Sequence, residues 1–597
     1  MNARSSSRPR AQVAQAWGSP TPVPAQLAQA ALAAQAKHPR TAEPAEQQIK
    51  APPAAQAAQA FPLTKVPPTP AQAAERPAPV ALVAQVPAKD PPTPAQMAQA
   101  SAKGLPDAAA AHGGGNDRAE PTAGVRMRDL VVWRAAKFQL KSREAQAHMA
   151  AGKTKAAEAQ FRASALENAT DGEAWSGLVH SCVDQMALVT ESVEAAAGML
   201  ESGGEDVNLP RIHLSNAVTL ALDCAEGFDL FAPGSSRDPR VKALQDAAME
   251  TRAAVMDALG QAADMAAMIA AGDDSTAAAA AVPSPSPTRR RLLQATVTGT
   301  AGAITDGSGN FLTIQAAITA YPKGFKGRYV VFIQPGFYRE KVLVNSTCKN
   351  VTLLGTGAAN TVISWYDNAT AGTGTFQTPT VAVDATGFVA IGIRFENTAG
   401  KAGNQAVAFR LTGDGGALYE CEFIGWQDTL YTHGGRQYYR NCYVNGSVDF
   451  IFGNGAAVLD NCTIHIRPYT NAPVTASGRT NYTENTGIVL LNSVIQGDLV
   501  NKAYLGRPWK PYARVAIINT TITNVLNTSG WLDWNGVVYN TSTFIEQGNS
   551  GPGSVGPRIA WALPGIVTDP ALVSMYYPNN FLTPFSSIAN LIPFPWL

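Results

Sequence analysis

No stretch of the 597-residue chain approaches about 18 consecutive apolar residues, so no membrane-spanning helix and no membrane partner are expected. Charge is scarce as well. Only 15% of residues are charged, against roughly a quarter in ordinary globular domains. The net charge of +1 removes any general electrostatic reason to expect nucleic acid as a partner. Six cysteines are too few to build a scaffold of this length from disulfides. The basic start MNARSSSRPR is not followed by the apolar core of roughly 7–15 residues that a secretory leader needs. Tyrosine is missing from residues 1–283, and all 16 lie beyond them.

These averages mix three compositions. Residues 1–124 hold 36 Ala, 20 Pro and 13 Gln. Proline at that frequency interrupts helices, and alanine buries too little area to offset chain entropy. A disordered Ala/Pro/Gln-rich tail is expected there, with a recognition linker or stalk as the functional alternative. Residues 125–283 are rich in Ala, Leu, Met, Glu and Gln, which favours helix. Leu178, Cys182, Met186, Val189, Val193, Ala197 and Leu200 recur at steps of three and four, the stripe of an amphipathic helix. With further helices over about 135–168, 209–226 and 237–271, this pattern predicts a four-helix bundle. Residues 284–293 (SPSPTRRRLL) read as a linker whose tribasic run suits a protease, or as a solvated charge cluster.

Residues 294–597 hold 38 of the 46 aromatic residues and many short β-branched runs. Within them YECEF, YRNCYV, LDNCTI, LLNSVI and IINTTI share one frame. Glu420, Asn441, Asn461, Asn492 and Asn519 form one column, separated by 21, 20, 31 and 27 residues. Phe423, Val444, Ile464, Ile495 and Ile522 form an apolar column three residues later. Rungs of near-constant length with variable insertions predict a parallel β-solenoid, since each rung can bury its inner face only against its neighbours. A sandwich would need hairpin turns at regular short spacing instead. Cys421, Cys442 and Cys462 follow the column on successive rungs, either as buried thiols or as bridges. Nine N-x-S/T sequons lie in this segment. Asn350, Asn445, Asn461 and Asn519 fall in or near strands, whereas Asn368, Asn481, Asn527 and Asn540 look loop-like and suit glycosylation better.

The densest block is GWQDTLYTHGGRQYYRNCYVNGSVDFIFGNG, residues 425–455. Asp428 and Asp449 lie one rung apart in largely uncharged strands. Paired carboxylates in a partly apolar groove acquire different proton affinities, which separates acid–base from nucleophilic work. Arg507 in YLGRPW is a candidate to hold one of them ionised. Gln405 and Gln427 could donate amide hydrogens to a developing oxyanion. Trp426, Tyr431, Phe452 and Trp509 could stack on sugar rings. Each residue alone has a structural explanation as a turn, ladder or core residue. Together they point to a carboxylate-based hydrolase of an extended polysaccharide, without deciding between ester and glycosidic bonds.

The phrases DGSGNFLTIQAAI, PGFYREKV, NQAVAFR, GWQDTLY, GSVDFIFGN, GRT and YLGRPW occur in an order that resembles the plant pectin methylesterases (pectinesterases). Segment 135–275, with Cys182 and LSNAVTLALDCAEGF ending near Cys224, resembles the inhibitor-like pro-region preceding many of them. RRLL at 290–293 resembles the site where a processing protease removes that pro-region. The resemblance implies a right-handed parallel β-helix at 294–597, preceded by the helical domain at 125–283 and the linker at 284–293. It implies hydrolysis of methyl esters in pectin (homogalacturonan), releasing methanol, by a secreted cell-wall monomer with no metal and no cofactor. Asp449 matches the nucleophile and Asp428 the general acid and base. Gln405 and Gln427 match the oxyanion residues, and Arg507 the orienting arginine. Tyr431, Phe452 and Trp509 match cleft aromatics, with Gln405 and Arg507 also touching substrate, while His433 reads as a loop or cleft residue. The helical domain would act as an inhibitor in cis. An uncleaved regulatory or wall-binding protein without turnover is the alternative. A lyase on the same fold would need a cluster of calcium-binding carboxylates, which the sequence lacks. Trp426 stands where the family usually has Tyr, Asn404 where His is common, and the GRT–LGRP stretch is about ten residues short. Of the cysteines found in many free inhibitors, Cys182 and Cys224 match only the later pair.

Overall fold

The computed structural model describes residues 127–169, 176–202, 207–232, 234–273, 300–303 and 311–583. The expected tail at 1–124 and the RRLL run lie outside the described residues.

Four long helices come first: α1 (Met127–Ala169), α2 (Ser176–Glu201), α3 (Asn208–Phe231) and α4 (Pro239–Asp273). The α2 stripe behaves as its periodicity predicts. Leu178, Cys182, Met186, Val189, Val193 and Leu200 are buried, against Leu214, Val218, Ala221 and Phe228 of α3 and the Ala-rich faces of α1 and α4. Small residues allow close approach here, for a Cβ on Gly152 of α1 would lie 2.9 Å from Val255 of α4. A Cys182–Cys224 disulfide ties α2 to α3. No helix among the described residues is long and apolar enough to cross a membrane.

The second half is a parallel β-helix. Its strands form sheets of eleven, seven and eight strands among the described residues, and successive rungs contribute one strand to each. One rung runs Gly416–Tyr419, Glu422–Ile424, Leu430–Tyr431; the next runs Arg436–Arg440, Tyr443–Gly446, Ile451–Gly453. All pairings along the stack are parallel and in register, so the predicted apolar column Phe423, Val444, Ile464, Ile495, Ile522 is one continuous row. Every member is fully buried.

The polar column has a backbone cause. Glu420, Asn441, Asn461, Asn492 and Asn519 have φ between 48° and 54°, the left-handed region that Asn tolerates best among residues with a side chain. They turn the chain from the eleven-stranded to the eight-stranded sheet. The next residue points inward, and its side chain satisfies a buried amide of the rung before. Cys462 Sγ accepts from Cys442 N at 3.4 Å, Ser493 Oγ from Cys462 N at 3.0 Å, and Thr520 Oγ1 from Ser493 N at 3.3 Å. Cys348, Cys421, Cys442 and Cys462 are free, buried thiols, which resolves the choice left open by their spacing.

The bundle packs on the outer face of the seven-stranded sheet. Phe376, Val407, Tyr431, Phe452 and Ala476 share one buried apolar cluster with α2 and α3.

Candidate active site

The seven-stranded sheet carries the candidate site because the turns entering its strands place polar groups outward. Asp428 precedes strand Leu430–Tyr431 and Asp449 precedes Ile451–Gly453. Both adopt left-handed backbone, with φ of 61° and 49°, and the register Leu430↔Ile451 sets them on adjacent rungs. Non-glycine residues held at positive φ cost energy and cluster at working sites. Gln405 and Gln427 pair across neighbouring rungs by an isolated parallel bridge. Arg507 belongs to strand Ala503–Pro508.

Arg507 grips Asp449 with two nitrogens. Nε lies 2.9 and 3.2 Å from the two carboxylate oxygens and Nη2 lies 2.6 Å from Oδ2. The guanidinium also stacks on Trp534, 4.1 Å from its ring centroid. Burial raises the Asp449 carboxyl, and the Arg507 hydrogen bonds and charge oppose that rise. Among the described residues Asp428 has no such partner, and Arg507 reaches it only through its charge. Burial, then the neighbouring Asp449 charge, lifts it well above the ordinary carboxylate range. The two acids therefore differ in proton affinity, Asp428 being the one raised further.

A cavity of about 270 Å³ joins these groups. Gln405, Gln427, Asp428, Asp449, Arg507, Tyr431, Phe452 and Trp509 all line it, so both acids, both glutamines, the arginine and three of the four candidate aromatics meet at one place. Tyr431 and Phe452 stack at 4.1 Å and 15°. Trp426 does not line the cavity. It turns away, with Arg467 5.0 Å from its ring, so the expectation that it stacks on sugar is corrected. Phe376, Trp534 and Asn535 also line the cavity and escaped the sequence reading, because they sit in irregular segments without repeat or motif.

The roof of the cavity is the bundle: Leu178, Gln185, Asp223, Glu226 and Phe228 face the same space. Asp223 Oδ2 accepts from the Tyr431 hydroxyl at 2.9 Å and lies 3.0 Å from Nε2 of His433. His433 is fully buried and is not among the residues lining the cavity. Lys510 Nζ donates to Glu226 at 2.6 Å, and Asn454 donates to Thr219 at 2.8 Å. Among the described residues, no group of three His, Cys, Asp or Glu side chains could hold a metal ion.

A family model described as Pectinesterase matches residues 301–584. The chain is similar to Pectinesterase 1 of Citrus sinensis, 42% identical over 312 residues, covering 50% of this chain and 53% of that protein. It is similar to a Daucus carota Pectinesterase, 40% identical over 313 residues, covering 50% of this chain and 98% of the relative. A Probable pectinesterase/pectinesterase inhibitor 58 of Arabidopsis thaliana is 42% identical over 313 residues, covering 50% of this chain and 54% of the relative. The chain thus spans about half the length of several curated relatives it matches. Among solved structures, a pectin methylesterase from carrot aligns with a TM-score of 0.48 at 39% identity, covering 50% of this chain and 97% of that one.

Proposed function

The chain belongs to the pectinesterase family, and we propose that it removes methyl esters from the galacturonate units of pectin outside the cell, releasing methanol. The observation that carries this reading is the unequal carboxylate pair, one held by Arg507 and the other left without a cation of its own. Asp449 attacks the ester carbonyl carbon, and the oxyanion that forms takes hydrogen bonds from the amides of Gln405 and Gln427. Asp428, protonated at the outset, gives its proton to the departing methoxide, so that methanol leaves and an acyl–Asp449 remains. Asp428, now a carboxylate, takes one proton from water as its oxygen attacks the acyl carbon; Asp449 leaves as a carboxylate, and the galacturonic acid formed loses its proton to solvent. Tyr431, Phe452 and Trp509 supply flat apolar faces for the sugar rings.

The helical domain, residues 125–283, inhibits this site in cis, and a protease acting at 290–293 relieves it. The bundle's cover over the cavity supports that reading. The test is methanol release from esterified pectin by the intact chain and by the chain cut within 284–293 and freed of its bundle. Release by the freed chain with little from the intact one is expected. No release by a folded, freed chain would overturn the esterase reading in favour of a regulatory or wall-binding protein, and equal release by both would overturn inhibition.

A further inference from the structure

Two of the three sheets have covered outer faces. The bundle lies over the seven-stranded sheet. Val573, Tyr576, Phe581 and Leu582, with Ile212 of α3, pack on the eleven-stranded sheet. Among the described residues no buried apolar cluster lies over the outer face of the eight-stranded sheet. Strand alternation sorts its side chains. Phe395, Phe423, Val444 and Ile464 point into the core. Arg394, Glu422, Tyr443 and Thr463, each one residue earlier and in register, therefore point out. Ile424 and Asn445 belong to the next outward row.

Across the four adjacent strands from Arg394–Asn397 to Thr463–Ile466, this face hollows into a trough of about 420 Å³. Arg394, Glu422, Ile424, Tyr443, Asn445 and Arg467 line it, and no bundle residue does. Its polar groups are held in place. Asn445 Nδ2 donates to the Tyr443 hydroxyl at 3.2 Å, and Asn445 Oδ1 accepts from Arg467 Nε. The Arg467 guanidinium rests 5.0 Å from the ring centroid of Trp426. Its two Nη groups have no hydrogen-bond partner among the described residues. The charges balance. Arg394 Nε donates to Glu422 at 2.7 Å, and Glu396 and Asp498 act on Arg467 through their charge.

Donors, acceptors and a phenol ring without excess charge suit a neutral chain rich in hydroxyl and ester oxygens. The Arg467 Nη groups donate to such oxygens, Glu422 accepts from hydroxyls, and Tyr443 offers a flat face to a sugar ring. An anionic chain would instead meet Glu396, Glu422 and Asp498. The trough spans three rung spacings, roughly 14 Å, which suits a run of sugars rather than one.

We propose that this trough is a second polysaccharide-binding site, on a face other than that of the reacting cleft, and that it takes neutral, methyl-esterified stretches of galacturonan. The proposal rests on the esterase reading only for the choice of polymer. It holds the protein on unreacted chain whether or not the bundle covers the cleft.

The intact chain carrying Asp449→Ala serves for the binding test, since the bundle roofs the cleft and the polymer is not consumed. Affinity electrophoresis compares highly methyl-esterified pectin, polygalacturonate and the neutral glucan xyloglucan at low and high salt. Retardation by esterified pectin is expected to be the strongest and insensitive to salt. Arg467→Ala should weaken it roughly tenfold, the scale of a hydrogen bond from a charged donor. Ile424→Arg, which fills the trough from an outward position, should abolish it. Thermal melts matching the parent show that both variants fold. In the chain freed of its bundle, with Asp449 restored, both variants should raise KM on long pectin and leave turnover of short esterified oligomers unchanged. Pectin binding that neither variant weakens, or no binding, overturns the site. A salt-sensitive preference for polygalacturonate, or tighter binding of xyloglucan, overturns the assignment to neutral galacturonan. Variant-sensitive pectin binding without methanol release by the freed chain upholds the site and sinks the esterase reading instead.

Discussion

Replacing Arg507 by methionine removes the guanidinium and keeps a side chain of similar length. Three N–H···O contacts of 2.9, 3.2 and 2.6 Å are lost, between side chains only 15% and 6% exposed. Breaking a buried pair from one side costs about 3–5 kcal/mol, because the remaining charge has no compensation. The lost stack on Trp534 adds roughly 0.5–2 kcal/mol. Asp449 can escape much of the first cost by taking up a proton. Burial already raises its pKa, and Arg507 is what opposes the rise, so the substitution raises it further. A carboxyl whose folded pKa exceeds its unfolded value stabilises the fold below the unfolded value and loses that contribution as pH rises through the folded one. The variant should therefore sit near wild type in stability at about pH 4 and well below it at about pH 8. The acid limb of turnover, which needs ionised Asp449, should move to higher pH. Thermal unfolding of the β-helix at both pH values checks the first point, and methanol release across pH checks the second. Adding Asp449→Asn should restore most of the stability at the higher pH. A loss that is equal at both pH values and unrelieved by Asp449→Asn would refute the assignment of the cost to an uncompensated carboxylate.

Asp449→Ala should abolish methanol release while leaving the far-UV circular dichroism unchanged; persistent release would move the nucleophile elsewhere. Asn461→Ala forces a Cβ without a compensating polar group into the left-handed corner at φ 54° and removes its 2.7 Å bond to Asn441. It should destabilise the β-helix by about 1–2 kcal/mol, and Asn461→Gly by less, read from denaturant midpoints. Substituting Cys182 and Cys224 by Ala opens a loop of 42 residues, worth about 4 kcal/mol by chain entropy. The bundle's melting transition should fall while that of the β-helix holds, and the intact chain should release methanol faster.

Much of the β-helix was legible because its physics is repetitive. A left-handed corner selects Asn rung after rung, and a stacked interior selects an apolar residue three places on, so two columns sufficed to read the stack. Glu420 shows the limit: it occupies the same corner at φ 50° with a residue type that gives no hint of it. The acids, amides and arginine of the candidate site were marked by motifs. Of the walls, Tyr431, Phe452 and Trp509 were marked too, whereas Phe376, Trp534 and Asn535 were not, because they enter from segments without repeat or motif. Asp223 and Glu226 were hidden differently. On a helix, carboxylates opposite an apolar stripe read as a solvated face, and only tertiary packing turns that face onto Tyr431, His433 and Lys510.

The left-handed corner has a consequence for how such a chain can change over time. From Tyr419–Glu422 to Ile518–Thr521 it always spends two residues between sheets, whereas the connections bordering the seven-stranded sheet vary freely, with eleven residues between Asn397 and Phe409 and nine between Ser477 and Gly487. Length variation is thus channelled to the rim of the groove. A change of length there need not shift any ladder by one step, because it falls between strands of different sheets. The frame and the groove rim can then diversify at separate rates, although the 478–486 loop is tied to the stack by buried Arg479 and by buried Glu484, which accepts from Asn454.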